Sequence, residues 1–204
     1  MDMQEKAMSN KYETENYIVK GDHKPWGRHA NVGILRQYKE HVLGSVVDIG
    51  CNTGGVTYWL SENKNVLSIT GVDINPKVKK QFEAVMTPTK VPYKFICANL
   101  VEAKLDSETY DTAISFHTIE HIYPEDIDVF IKNSTASLKS GGKFLVSIPY
   151  MTEYEDKHHR DFYDEKKLSD VICRNGFDVI ECTHHSHSFV WKERHLLIGL
   201  FVKK

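Results

Sequence analysis

The run Val46-Val47-Asp48-Ile49-Gly50-Cys51-Asn52-Thr53-Gly54-Gly55 is apolar up to a carboxylate and then breaks into glycine. Downstream, Ile69-Thr70-Gly71-Val72-Asp73 brings a second apolar run to a second carboxylate. A strand feeding a glycine turn and a helix, with an acidic residue about 20 residues further on, is how a nucleoside ligand is held. The dinucleotide version needs G-x-G-x-x-G, whose middle glycine lets a pyrophosphate approach the backbone. Here Asn52 stands at that position, between Gly50 and Gly55. Its branched polar side chain fills the space of phosphate oxygens but leaves a turn expected to offer free backbone N–H groups beside a helix N-terminus. A carboxylate and a ribose suit such a turn better than a diphosphate. Asp73 could instead cap the helix that follows it, but Asn75-Pro76 already supplies that start, so Asp73 is assigned to ribose hydroxyls.

Histidine is the other residue type with chemistry to offer. His117-Thr118-Ile119-Glu120-His121 matches the H-x-x-E-H pattern of one metallopeptidase class, but it leaves an expected strand rather than sitting within a long helix. His184, His185 and His187, with His158 and His159, could supply imidazoles on one strand face. No carboxylate or thiolate spacing accompanies them, so no metal is expected. The four cysteines, Cys51, Cys97, Cys173 and Cys182, form no C-x-x-C pair and are expected to be reduced and mostly buried.

These residues need a frame. Asn31, Leu35, Tyr38 and Val42 recur at helical spacing over Gly27 to Val42, with Gly44 as the stop. Strands are expected at Val46–Ile49, Val66–Val72, Tyr93–Ala98, Thr112–Phe116 and Lys143–Ile148. Helices carry Val56, Trp59 and Leu60, then Val78, Phe82 and Val85, then Ile127, Phe130, Ile131 and Leu138, the last opened by Pro124 and closed by Gly141-Gly142. Leu168, Val171 and Ile172 mark a final helix stopped by Gly176. Phe177–Thr183 and His195–Val202 close the chain as two strands joined by a polar segment. The alternation predicts an α/β fold, a Rossmann-like, seven-stranded, mostly parallel sheet with helices on both faces and an antiparallel C-terminal strand. At 204 residues, 41% of them hydrophobic, a single domain over 1–204 is expected. Within it, about 1–44 would be a helical segment covering the active site and about 45–204 the core.

In this order the motifs resemble the class I S-adenosylmethionine-dependent methyltransferases, from about Trp26 to the C-terminus. The matching pieces are Val47 to Gly54, Gly71-Val72-Asp73, Asn99-Leu100, Tyr110-Asp111 leading to His117 through Ile122, and Leu138-Lys139-Ser140-Gly141-Gly142. His159-Arg160-Asp161-Phe162 through Asn175-Gly176-Phe177 is similar to the corresponding stretch of small-molecule members. The resemblance implies S-adenosyl-L-methionine as cofactor. Gly50, Cys51 and Asn52 would line its methionine part, with Arg28 against the carboxylate. Asp73 would take the ribose hydroxyls, with Ile74 beside it, and Asn99 and Leu100 the adenine. His117 would lie at the carboxyl edge of the fourth strand, against the cofactor. Asp48 would either bind the cofactor or order the glycine turn. Two departures stand out: Asn52 replaces the commoner glycine, and Asn99 stands where many relatives carry aspartate.

The acceptor side is expected in the segment after Pro149, with Trp26, Tyr150 and Tyr163 as pocket walls and His117 and His159 as candidate bases. The resemblance favours a small-molecule acceptor, a hydroxyl of a sugar, nucleotide sugar or similar metabolite. The alternatives are N-methylation of a small amine or an RNA nucleotide, and a non-catalytic cofactor-binding subunit serving a partner. The net charge of −2 argues against a dedicated nucleic-acid binder. No apolar signal core opens the chain and no apolar run is long enough to span a bilayer, so a cytoplasmic protein is expected.

Overall fold

The computed structural model describes residues 29–105, 109–150, 158–189 and 192–204. Trp26 and Arg28 lie outside the described residues. The element order is α1 (His29–Gln37), β1 (Gly44–Ile49), α2 (Gly55–Leu60), β2 (Val66–Asp73), α3 (Lys79–Met86), β3 (Tyr93–Cys97), β4 (Tyr110–Phe116), α4 (Ile127–Thr135), β5 (Leu138–Pro149), α5 (Glu165–Cys173), β6 (Phe177–Phe189) and β7 (Lys192–Lys203). Single 3₁₀ turns at Pro76–Val78 and Ile119–His121 follow β2 and β4.

Seven strands form one sheet in the order β3-β2-β1-β4-β5-β7-β6. The first five pair in parallel, and β7 runs antiparallel to both β5 and β6. Side chains alternate across the sheet, so Val47 and Ile49 enter one core while Val46 enters the other. Phe144, Ile148, Phe130 and Ile172 continue the first core, and Ile34, Tyr38, Phe82 and Leu145 the second. Burial on both faces is why the central strands read as continuous apolar runs. Strand order reverses between β1 and β4, so the loops leaving their carboxyl ends diverge and open a crevice. Among the described residues no helix is long and apolar enough to cross a membrane.

Three local expectations need correction. Gly141-Gly142 do not close α4, which ends at Thr135; they lie inside β5, where Tyr110 pairs with Leu138 but Thr112 pairs with Lys143. The extra residues bulge out of the ladder, and Gly141 takes the left-handed φ of 75° that the bulge needs. The histidine-rich run at 184–187 is strand rather than connection, since β6 pairs with β7 as far as Phe189 with Lys192. Of the cysteines, all free, only Cys51 is fully buried; Cys97 is exposed.

Candidate active site

The turn after β1 is built by short-range hydrogen bonds. Gly50 N–H and Cys51 N–H both donate to the Val72 carbonyl, at 2.8 and 3.0 Å. Asn52 N–H donates to Asp73 Oδ2 at 2.8 Å, Thr53 N–H to Asn52 Oδ1 at 2.7 Å and Gly54 N–H to the Cys51 carbonyl at 3.0 Å. Every N–H from Gly50 to Gly54 is therefore spent within the protein. This corrects the expectation of free N–H groups, because the turn closes on β2 and on its carboxylate rather than on a ligand. Gly50 itself sits at φ 77° with no room for a side chain: a Cβ would lie 2.1 Å from Thr118 Oγ1. Asn52 shares the left-handed region, at φ 46°, which asparagine tolerates.

Asp73 is the hinge of the site. Its Oδ1 accepts the Asn75 N–H at 2.8 Å while Oδ2 holds Asn52. Burial raises its pKa above the usual carboxylate value, although the N–H groups of Asn75, Asn52 and Ile74 pull it down. A carboxylate has about four acceptor sites, so two well-directed N–H donors leave capacity for ribose hydroxyls. Asn75 caps the following turn as the sequence indicates, its Oδ1 accepting Lys77 N–H at 3.0 Å.

An open cleft of about 890 Å³, its mouth included, lies over these turns. Gly50, Asn52, Asp73, Ile74, Leu100 and His117 line it, six of the residues expected from the sequence. Apolar Ile49, Val72, Leu100, Ile122 and Phe130 face polar Asp73, Asn75 and His117, a division that fits a purine ring and a ribose.

Other expected residues sit elsewhere. Asp48 is buried and outside the cleft lining, its Oδ2 accepting the Thr57 hydroxyl at 2.6 Å. It therefore anchors α2 rather than the N–H groups of the turn, and burial pushes its pKa up to about 7. Cys51 is buried against Gly71, and burial raises its thiol well above the usual range. Asn99 is buried and turns its Oδ1 back onto Val101 N–H at 3.1 Å, outside the cleft lining. Tyr163 is only 1% exposed and belongs to the core beside Leu168 and Phe177; Tyr150 stacks on His184 with ring centroids 4.1 Å apart. Neither tyrosine lines the cleft, although a parallel β-bridge joins them.

Another part of the cleft is made by the turn after β4. His117, at φ 55°, is pinned by its N–H to the Ser147 carbonyl at 2.7 Å. Its Nε2 lies 3.3 Å from Asn31 Oδ1 on α1, and its Nδ1 lies 3.6 Å from Glu120 Oε1. Glu120 is 2% exposed. Burial acts to raise its pKa, but the His117 imidazole beside it and the charge of His121 win, holding it below the ordinary value. The Glu120 carbonyl accepts Arg160 N–H at 2.7 Å and Asp161 N–H at 3.3 Å, which docks the segment after β5 onto this turn. Thr118, His121, His158 and Arg160 thereby reach the cleft, none of them assigned to it from the sequence. His159 stays beside the lining, its ring 5.0 Å from that of His121. The H-x-x-E-H spacing could have flagged Glu120, but the segment is one 3₁₀ turn and does not set His117 and His121 as a helical zinc pair.

The model of the family described as "Methyltransferase domain" matches residues 47–146, from β1 through most of β5. Phosphoethanolamine N-methyltransferase 3 of Arabidopsis thaliana is 23% identical over 154 residues, covering 71% of this chain and 31% of the plant protein. Carboxy-S-adenosyl-L-methionine synthase of Nautilia profundicola is 28% identical over 157 residues, covering 77% and 62%. The chain thus spans less than two thirds of the length of these relatives. Among solved structures, an S-adenosylmethionine-dependent methyltransferase from Clostridium acetobutylicum superposes with a TM-score of 0.68 at 15% identity, covering 90% of this chain and 93% of that one, a likeness of fold. With the parallel sheet reversing at β1 and β4, the glycine turn closed on Asp73 and a domain match running through both, the chain belongs to the class I S-adenosylmethionine-dependent methyltransferases.

Proposed function

We propose that the protein transfers a methyl group from S-adenosylmethionine to a hydroxyl of a small-molecule acceptor, a sugar or nucleotide sugar in the first instance. The observation that carries this reading is the His117–Glu120 pair at the cleft edge, an imidazole 3.6 Å from a buried carboxylate. Such a carboxylate favours the tautomer with hydrogen on Nδ1 and stabilises the imidazolium formed when Nε2 takes a proton. The cofactor, when bound, supplies an activated methyl carbon that bonds to the acceptor oxygen as the carbon–sulfur bond breaks and its electron pair stays on sulfur.

The chain's own residues do the rest. Asp73, Leu100 and the turn at Gly50 would orient the nucleoside, and His117 Nε2 would receive the hydroxyl proton. Alignment of the two reactants supplies most of the acceleration in such a displacement, with the base adding about 10²–10⁴-fold. Arg160, stacked over Tyr123 at 4.9 Å, lines the same cleft, and a cationic side chain there supports an anionic sugar derivative as the acceptor.

The test is incubation with methyl-labelled cofactor and a panel of sugars, nucleotide sugars, hydroxylated aromatics and small amines, with mass analysis of labelled products. Label on oxygen, lost by roughly 100-fold or more in His117→Ala, is the expected result. Label on nitrogen would overturn the hydroxyl assignment, and full turnover in His117→Ala would remove the base.

A further inference from the structure

We infer that Glu120, His121 and His159 form a binding site for a divalent first-row transition-metal ion at the acceptor end of the cleft. One ligand atom from each lies within 4.8 Å of the other two, the separation that a single ion can bridge. The residues come from two distant parts of the chain, Glu120 and His121 from the turn after β4 and His159 from the segment after β5. The two N–H bonds onto the Glu120 carbonyl hold these segments in register.

The second observation is the state of the carboxylate. Both Glu120 oxygens are buried and neither has a hydrogen-bond partner; the His117 imidazole faces Oε1 at 3.6 Å without closing a bond. A buried carboxylate lacking hydrogen bonds is destabilising unless a cation compensates it. The two histidines differ in how they are set. His121 Nδ1 lies 3.1 Å from the His158 carbonyl, and since a carbonyl only accepts, Nδ1 carries the hydrogen and the ring's lone pair is on Nε2. An imidazole oriented this way by a backbone carbonyl is the usual preparation of a metal-ligating histidine. His159 presents its ring edge-on to His121 at 5.0 Å, close enough for the two to share one ion.

One carboxylate and two imidazoles suit zinc, cobalt, nickel or iron(II) and do not suit an ion that demands oxygen ligands alone. Three protein ligands leave further positions on the ion, and His121 lines the cleft, so these positions open toward the acceptor. An acceptor hydroxyl bound there would lose its proton more readily, and a vicinal pair of oxygens would be held in a fixed orientation. Ion binding itself does not depend on which acceptor is methylated.

Full-length protein is dialysed against chelator and titrated with Co²⁺ and Zn²⁺, following heat and the visible absorption of cobalt. One saturable equivalent with visible cobalt bands is expected. His159→Ala and Glu120→Gln should weaken it by more than roughly 10-fold. S-Adenosylhomocysteine affinity is measured in parallel, so that a loss of ion binding is separable from a failure of the cofactor site. Should Glu120→Gln not fold, His159→Ala decides, since that side chain lies outside the cofactor cleft lining. No saturable binding by the wild-type protein, or unchanged affinity in the variants that fold, overturns the assignment.

Discussion

Gly50→Ala probes the geometry on which the glycine turn rests. Alanine at φ 77° costs about 1–2 kcal/mol from its own backbone. The new Cβ would also lie 2.1 Å from Thr118 Oγ1, 2.7 Å from its Cγ2 and 2.9 Å from its Cβ, so Thr118 must move. Its hydroxyl donates to the Ile49 carbonyl at 3.2 Å and the Phe116 carbonyl at 3.3 Å, and losing that bond costs about 1 kcal/mol. Forcing the side chain off its rotamer adds about 1 kcal/mol more. The single variant should therefore lose about 3–4 kcal/mol of unfolding free energy. In a Thr118→Ala background the two closest atoms are absent, and the cost of Gly50→Ala should fall to about 1–2 kcal/mol, close to its backbone part. A double-mutant cycle by urea unfolding reads the difference directly, as a coupling of about 2 kcal/mol. Thr118 lines the cleft, so S-adenosylhomocysteine affinity measured by calorimetry should drop in Gly50→Ala and recover in part in the double variant. Equal costs in the two backgrounds would refute the steric argument.

Asp73→Ala removes the acceptor of both turns, and two charge-assisted ribose bonds together are worth at least about 3 kcal/mol; S-adenosylhomocysteine should bind 100-fold or more weakly, and unchanged affinity in calorimetry would exclude ribose contact. Asp48 has a native pKa of about 7 against an ordinary 3.8, so the folded protein keeps this proton longer than the unfolded chain. Its contribution to stability is full below the ordinary value and is lost as pH rises toward 7. Asp48→Asn keeps an acceptor for Thr57 and should flatten that loss, gaining up to about 4 kcal/mol at pH 8 relative to pH 4; urea midpoints with the same pH slope as the wild type would contradict it. Tyr163→Phe removes a buried hydroxyl with no hydrogen-bond partner and should leave stability unchanged or raise it by up to about 1 kcal/mol in thermal unfolding, without altering turnover. A large loss of activity would return Tyr163 to the acceptor site.

The cleft lining around the glycine turn was legible because its determinants are local. Gly50, Asn52 and Asp73 belong to two strand ends that are neighbours in a parallel sheet, and spacing alone brings them together. The strands themselves announced their burial through runs such as Val46-Val47 and Phe144-Leu145-Val146. What escaped was side-chain direction. Asp48, Cys51 and Asn99 each sit within a residue or two of the cleft, but burial or an Asx-type bond turns them away from it. The part of the cleft beyond β4 was opaque for a different reason: Arg160 and His158 reach it only because backbone hydrogen bonds near Glu120 and His121 dock a segment some 40 residues distant, as the 37-residue separation of His121 and His158 shows. Pairings of that kind have no periodicity to betray them.

Asp73 serves the fold before it serves a ligand. With one oxygen on Asn52 and the other on Asn75, it fastens two loops that would otherwise leave buried N–H groups without acceptors. Selection for folding alone would keep it in a descendant that had stopped binding any nucleoside. Glu120 is the opposite case, a buried carboxylate whose side chain satisfies no turn or helix end. Of the two carboxylates, Asp73 is bound into both turns that it touches, whereas Glu120 is left to its histidine neighbours.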